Sequence, residues 1–376
     1  MSRPSISALR RFATTRSLQT WGTIQEAVSG IGFVQADPIR APARAQDLIL
    51  RQRVTGYRAG DLERQYRHLA LCEDVLHVYG FLAQHHLRLL HPRPLSGHWQ
   101  QFVESRTALR KSVLRLVSEL GTAHPRAVEK ELGSQSCENG WGGQSSETTM
   151  MLDALHQQGL LRVAHREAGQ RVYECVSAQS RGRSLPVNER AEGLCRLLTS
   201  LYAPMPLRSL RQVLGAVRGP LTDSPKAALE RLLLRGELRS ERIDAEDWIW
   251  PECETQALLS ADAVDDRVRL LAPFDPVVWD RRRFSLLWNW EYRFEAYTPV
   301  AKRKLGYYAL PLLFRDQITS VANLSVREGN LQAELRFVGN RPREAAFRRG
   351  LDQELDSLSQ FLGLSTSNSH PASIHP

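Results

Sequence analysis

Residues 145–175 read "SSETTMMLDALHQQGLLRVAHREAGQRVYEC", and the change of texture inside this stretch decides the fold. Ser145 or Ser146 can cap a helix at its start, and Gly159 can end that helix. From Leu160 the pattern becomes strand-like, with Glu167-Ala168-Gly169 as the turn of a β-hairpin. Upstream, Leu109, Val113, Leu116, Val117 and Leu120 recur at helical spacing and predict a helix over Ala108 to Gly121. A second, shorter helix is expected from His124 to Leu132, with Pro125 suited to its first turn, and the turn-rich "GSQSCENGWGG" follows it. Three helices and then a hairpin make a winged helix.

The same plan recurs on both sides. Between Asn188 and Pro251, "NERAEGLCRLLTSLYA", "PLRSLRQVLGAV" and "DSPKAALERLLLRGEL" read as three helices, and "LRSERIDAEDWIW" takes the hairpin position. A degraded first copy opens the chain with "SISALRRFATTRS" and "TWGTIQEAVSGIG", and then departs from the plan at residues 32–48, "GFVQADPIRAPARAQDL". The copies share an order of elements rather than letters, so unrelated helical hairpins in an α+β protein are the competing reading. From about Gln256 the texture changes. "GYYALPLLF", "QITSVANLSV" and "NLQAELRFV" read as strands, with Glu328-Gly329-Asn330 turning between the last two. Phe347, Leu351, Leu355 and Leu358 then line one side of an amphipathic helix, and the polar tail "STSNSHPASIHP" is expected to be disordered. The expectation is therefore an α+β chain of three tandem winged-helix units, at residues 1–105, 106–180 and 181–255. A C-terminal β-rich domain with a terminal helix follows at residues 256–376.

Bulk properties agree with that reading. At 376 residues the chain is too long for one ordinary domain, and 42% apolar with 24% charged content excludes disordered and fibrous classes. A net charge of +9 favours an anionic partner, with nucleic acid the default, although an excess of Arg over Lys also follows from base composition. The five cysteines form no Cys-x-x-Cys pair, which speaks against a zinc site or a disulfide framework and fits reduced thiols in a cytoplasm. The N-terminus lacks the apolar core of a signal peptide, and no run is long enough to cross a bilayer. The protein is expected to work in the cytoplasm, without metal or other cofactor.

Two segments concentrate possible chemistry. In "GFVQADPIRAPARAQDL", Pro38 and Pro42 prevent a continuous helix, and an extended backbone puts Gln35 and Asp37 on one face. Read alone, this is either an ordinary surface turn or a site. In residues 270–308, aromatics (Phe274, Trp279, Trp288, Trp290, Tyr292, Tyr297) interleave with cations (Arg281, Arg282, Arg283, Lys302, Arg303, Lys304). Such interleaving suits base stacking with phosphate contacts, or else an aromatic core with charged edges. Asp275 and Glu295 within it can pair with the arginines. Phosphate-contact candidates in the helical units are Arg44, Arg126, Lys130, Arg162, Arg166, Arg208, Arg211 and Arg235, joined by Arg282, Lys302 and Arg303. Any one of these can equally be a solvated surface cation.

Taken together, Gln35-x-Asp37-Pro38, the "WGG" at residues 141–143, and "PFDP…RRRF…EYRFEAYTPVAKRKLGYYALPLL" resemble a bacterial family. This is the winged-helix crosslink-repair DNA glycosylases, the AlkZ/YcaQ group, in its Gln-x-Asp branch. The resemblance runs from about Leu9 to Val338, and its specificity lies in the C-terminal block. It implies three winged helices cupping DNA, braced by the C-terminal β region. It also implies excision of N7-alkylated purines, unhooking of interstrand crosslinks, and Gln35 and Asp37 as the catalytic pair. Departures are the "ITSVANLSV" where the family often has Val-Gly-Arg, and Trp288-Asn289 where it has Phe-Gly.

The chemistry is consistent with this placement. N7 alkylation makes the purine a cationic leaving group, so no strong general acid is needed. The developing oxocarbenium ion needs a nearby negative charge and the attacking water needs an acceptor. Asp37 can serve either need, and Gln35 can orient the water through its amide oxygen. Lys111 is the first lysine in the chain, which speaks for a monofunctional enzyme without a Schiff-base lyase step. The expected partner is duplex DNA carrying N7-alkylguanine or a crosslink, met by a monomer through an open cleft. The competing class is a non-catalytic regulator using tandem winged helices. A nuclease is disfavoured because no acidic cluster has metal-binding spacing.

Overall fold

In the computed structural model, residues 3–95, 97–138, 143–177, 184–217, 224–261, 264–364 and 372–375 are described, the last four by backbone alone. The fold is a mixture of helices and small antiparallel sheets. It divides into two compact units: Met1–Leu62, Arg196–Val213 and Leu229–Pro376 form one, and Glu63–Cys195 with Leu214–Ala228 the other. These units interleave along the chain, whereas the boundaries expected near residues 105, 180 and 255 follow the order of elements.

The second unit contains the stretch that decides the fold. Helices Thr107–Leu120, Pro125–Leu132 and Glu147–Gln157 occur in the expected order. The Ser146 hydroxyl caps the last of them by accepting from Thr149 N–H, and Gly159 follows with φ +73°. Strands Leu161–Glu167 and Gln170–Cys175 pair antiparallel through a turn at Ala168 and Gly169, both at positive φ. The short strand Thr122–Ala123 joins their sheet next to Gln170–Cys175. Only Val113 and Val117 of the predicted stripe on the first helix are buried, and Leu120 is exposed. Of "GSQSCENGWGG", residues 139–142 lie outside the described residues, so "WGG" is described only at Gly143. A hairpin that the periodicity did not announce, Leu71–Val75 with Tyr79–Ala83, also belongs to this unit. It carries Glu73, a buried carboxylate held by Arg166 and Tyr79.

In the first unit, helices Ile6–Ser17 and Ile24–Ile31 match the two expected at the start of the chain. Thr23 and Glu26 form a capping box on the second. Gly32 ends it at φ +93°, a conformation open to glycine, and turns the chain into the extended residues that follow. The third helix of this copy does form, but only after the prolines, as Ala45–Arg51. The hairpin Leu238–Ile243 with Glu246–Pro251 has the short strand Met205–Pro206 at its edge. Trp248 and Trp250 of that hairpin pack in one core cluster with Leu9, Phe12 and Leu287.

The C-terminal strands read from alternation are present as Leu310–Phe314, Gln317–Arg327 and Asn330–Phe337, in a five-stranded sheet flanked by Val268–Leu270 and Ala372–His375. Ala372–His375 pairs in parallel with Asn330–Phe337, so this part of the tail is ordered as strand, contrary to expectation. Residues 365–371 and 376 lie outside the described residues. Helix Ala345–Leu362 buries Phe347, Leu351, Leu355 and Leu358, as its spacing predicts. Its buried Glu354 accepts from Arg51, Gln52 and the Leu270 backbone N–H, which ties this helix to Ala45–Arg51.

Candidate active site

The residues around Gln35 and Asp37 are built outward from a buried anchor. Phe33 and Val34 are inside the fold, Gln35 and Asp37 are half-buried, and Pro38 and Arg40 are exposed. The chain therefore surfaces within four residues, carrying an amide and a carboxylate to the boundary with solvent. Asp37 Oδ1 accepts from Ile39 N–H at 2.9 Å, a local turn that holds the carboxylate back against its own backbone. The Asp37 N–H donates to Oε1 of Gln46 at 3.3 Å, and Gln46 is buried on helix Ala45–Arg51. The two prolines remove donors and helical geometry between these points, so side chains rather than a backbone ladder hold the segment.

Gln35 is held from the far end of the chain. Its Oε1 accepts from the indole N–H of Trp279 at 2.8 Å. An indole N–H can only donate, so the atom facing it must be the amide oxygen, which settles the orientation of the whole amide. One oxygen lone pair and both N–H donors then remain for other partners. Trp279 is itself stacked on Tyr202, with ring centroids 4.8 Å apart and planes 21° apart. The role expected for Gln35, an acceptor for water, is thus narrowed by a bond to Trp279 that takes part of that oxygen.

Beneath Trp279, the Phe-Asp-Pro of the C-terminal block is structural. Asp275 forms a two-pronged ion pair with Arg53 at 2.7 and 2.9 Å, and both residues are fully buried. Arg53 also donates to the carbonyls of Ser17 and Ile49. Asp280 caps helix Arg281–Trp288, and the buried Arg283 donates to the carbonyls of Pro204, Pro276 and Val277. Glu295 makes no arginine pair among its described contacts; one of its oxygens collects the backbone N–H groups of Lys304, Leu305 and Gly306.

Burial raises the pKa of Asp37 above its ordinary value, and the Ile39 N–H partly offsets this. Tyr308 lies near enough to feel that carboxylate. Burial first, and the negative charge of Asp37 second, push its phenol above the usual tyrosine range. Tyr308 is 2% exposed, and its hydroxyl has no hydrogen-bond partner among the described residues. The site thus assembles a carboxylate, an oriented amide and a buried phenol.

The predicted phosphate contacts fare unevenly. Arg126 and Lys130 are exposed one turn apart on helix Pro125–Leu132, and Arg208 and Arg211 are exposed on helix Leu207–Ala216. Arg166 is committed to buried Glu73 at 2.6 Å and serves the fold rather than offering a surface cation. Arg162 pairs with Glu174 and Arg235 with Glu237. Arg282 reaches solvent but touches Glu246, and Arg44 sits half-buried just before helix Ala45–Arg51. Lys302 is exposed, while Arg303 donates to the Thr298 carbonyl and lies over the Tyr307 ring.

The interleaved aromatics divide likewise. Phe284 and Tyr292 are core, Trp288 is tied to the Asp316 carbonyl, and Tyr297 alone of the six aromatics named from the sequence is exposed. Base stacking along the whole block is therefore corrected to a core with one projecting ring. Trp279, Gln46, Arg53 and Tyr308 were missed as site residues. Gln46 and Trp279 stood inside the quoted segments, but no local pattern paired them with Asp37 and Gln35.

Two comparisons bear on this arrangement. A family model described as DNA glycosylase AlkZ-like matches residues 28–361. The solved structure of Streptomyces sahachiroi DNA glycosylase AlkZ is similar over the whole of both chains, with a TM-score of 0.68 at 13% sequence identity. At that identity the second match speaks to the fold alone.

Proposed function

The chain belongs to the AlkZ-like DNA glycosylase family, and on that premise we propose that it hydrolyses the N-glycosidic bond of N7-alkylated purines in duplex DNA, crosslinked bases included. That it is a DNA glycosylase follows from the family; the lesion class and the roles of residues are our reading. The observation that carries it is the half-buried pair Gln35 and Asp37, with the Gln35 amide held by Trp279.

An N7-alkylated purine departs as a neutral base once the electron pair of its C1′–N9 bond moves onto the ring. The sugar left behind is an oxocarbenium ion. A carboxylate fixed in a partly desolvated position stabilises that charge more than one in bulk water would. Asp37 occupies such a position, ionised at neutral pH although its pKa is raised. The water oxygen bonds to C1′, and its proton passes to Asp37 and on to solvent. The amide N–H groups and remaining lone pair of Gln35 orient that water or the sugar, and the Tyr308 hydroxyl is a further donor in the field of Asp37.

Exposure of Pro38 and Arg40 beside the pair supports attack on a base that stays attached to the opposite strand, which a crosslink demands. No helix among the described residues is long and apolar enough to cross a membrane. We take the enzyme to act as a monofunctional monomer at the bacterial nucleoid. The regulator alternative gives way to membership of a glycosylase family. The test is release of N7-methylguanine from a duplex oligonucleotide, read by alkaline cleavage at the abasic site. No cleavage above an Asp37→Asn control overturns the reading.

A further inference from the structure

Among the described residues, eight large apolar side chains are exposed, and three of them, Tyr297, Val300 and Tyr307, fall within eleven residues of one another. Tyr297 is 80% and Val300 76% exposed. They stand on a loop that is braced from within. Glu295 Oε2 gathers the N–H groups of Lys304, Leu305 and Gly306 at 2.8, 2.7 and 3.2 Å, closing the loop at its base. The Thr298 N–H donates to the Glu295 carbonyl, Lys302 N–H to Pro299, and Arg303 N–H to Val300. Arg303 Nε returns to the Thr298 carbonyl at 2.8 Å. Tyr297 is steadied edge-on against Phe294, with centroids 6.1 Å apart.

A short loop with this many internal bonds presents its tips in a set position, so little ordering entropy opposes binding. The surroundings of those tips are cationic. Lys302 and Lys304 are exposed, and a cavity of about 390 Å³ behind the loop is lined by Arg303, Lys304, Asn323, Glu334 and Arg336 among others. Gly306 at φ +125° lets the chain pass hard against Asn323, where a Cβ would come within 2.0 Å of its Oδ1. Rigid apolar tips in a basic frame are the features of side chains that insert between base pairs while cations hold the flanking phosphates.

We propose that the loop from Tyr297 to Lys304 is a wedge that enters duplex DNA, with Tyr297 and Val300 prising apart a base step and Lys302 and Lys304 on the phosphates. This rests on the reading of the chain as an enzyme of duplex DNA, and adds to it how a damaged step is opened. Charge complementarity selects DNA as the occupant. An anionic lipid surface has the same sign, so it enters the test as the contrary outcome.

The test uses duplexes carrying N7-methylguanine and the fluorescent base 2-aminopurine at successive neighbouring steps, with anionic phosphatidylserine vesicles in parallel. Wild-type protein should raise 2-aminopurine emission at one step. Tyr297→Ala and Val300→Ser should abolish that rise and weaken duplex binding, Tyr297→Ala by roughly 5- to 100-fold. Tyr297→Trp should retain the rise. Lys302→Gln should keep the rise but reduce the salt slope of log affinity by about one. Unchanged emission and affinity in Tyr297→Ala, or vesicle binding that depends on Tyr297 while duplex binding does not, overturns the wedge. Release of N7-methylguanine is recorded in the same samples. Release without any emission rise removes the wedge and leaves the proposed reaction, whereas a Tyr297-dependent rise without release does the reverse.

Discussion

The amide oxygen of Gln35 accepts from the indole N–H of Trp279, 244 positions away in sequence, at 2.8 Å. One bond thereby joins the extended N-terminal segment to the Phe-Asp-Pro block. It converts a rotatable amide into an oriented one, and orientation is what a water-positioning group contributes to a hydrolysis. Trp279→Phe keeps the ring that stacks on Tyr202 and deletes the donor. We expect kcat to fall about 3- to 10-fold with little change in KM, in single-turnover excision of N7-methylguanine. An unchanged kcat would mean that the amide is oriented by other contacts.

Asp37 should trade stability against activity. Its folded pKa is raised, so the folded state binds the proton more tightly than the unfolded chain does. For this group stability is greatest below the unfolded carboxylate pKa and declines as pH rises through the folded value. At neutral pH the ionised carboxylate is therefore a burden on the fold. Asp37→Asn should melt at or above the wild-type temperature while losing on the order of 10²- to 10⁴-fold in kcat. The acid limb of the wild-type rate profile should lie above 3.8, the ordinary aspartate value, and be absent from the residual activity of the variant. A variant that melts well below wild type would assign Asp37 to the fold.

Tyr308 offers a narrower test. Tyr308→Phe removes only a buried hydroxyl that has no partner among the described residues. Thermal stability should be unchanged or slightly higher, because no hydrogen bond is lost. Excision should slow about 10-fold if the phenol donates to the reacting water, measured beside melting of the same preparation. Full activity would remove it from the site.

Arg53 and Asp275 are a buried pair whose separation should be costly. Arg53→Met leaves a fully buried carboxylate, and we expect a loss of ~3–5 kcal/mol in urea unfolding. Pairing that change with Asp275→Leu should recover much of the loss, since the stranded charge is then gone. An additive double variant would show that the arginine's bonds to Ser17 and Ile49 matter more than the ion pair.

Periodicity made much of the fold legible. The helix from Thr107, its proline-led successor and the hairpin at Ala168-Gly169 are all local, and each matches its signal. Asn289 shows how a departure from family letters is absorbed. It adopts a left-handed conformation at φ +50° behind helix Arg281–Trp288, which asparagine tolerates nearly as well as glycine. Contacts of long sequence separation were not legible. Nothing local to Gln35 announces Trp279, and nothing in Arg166 announces the buried Glu73 that holds it. The polar tail misled for the same reason, since Ala372–His375 gains its strand from a partner edge rather than from its own letters.

The central claim, a Gln35–Asp37 site that hydrolyses N7-alkylpurine glycosidic bonds, is tested most directly by one excision series. Duplexes bearing N7-methylguanine, and the same sequence with an N7–N7 guanine crosslink, are incubated with wild type, Gln35→Ala and Asp37→Asn, then treated with alkali. The expected result is strand cleavage at the lesion on both substrates with wild type, and loss of about 10²-fold or more with Asp37→Asn. Cleavage by Asp37→Asn at the wild-type rate, or none by wild type on either duplex, would contradict it.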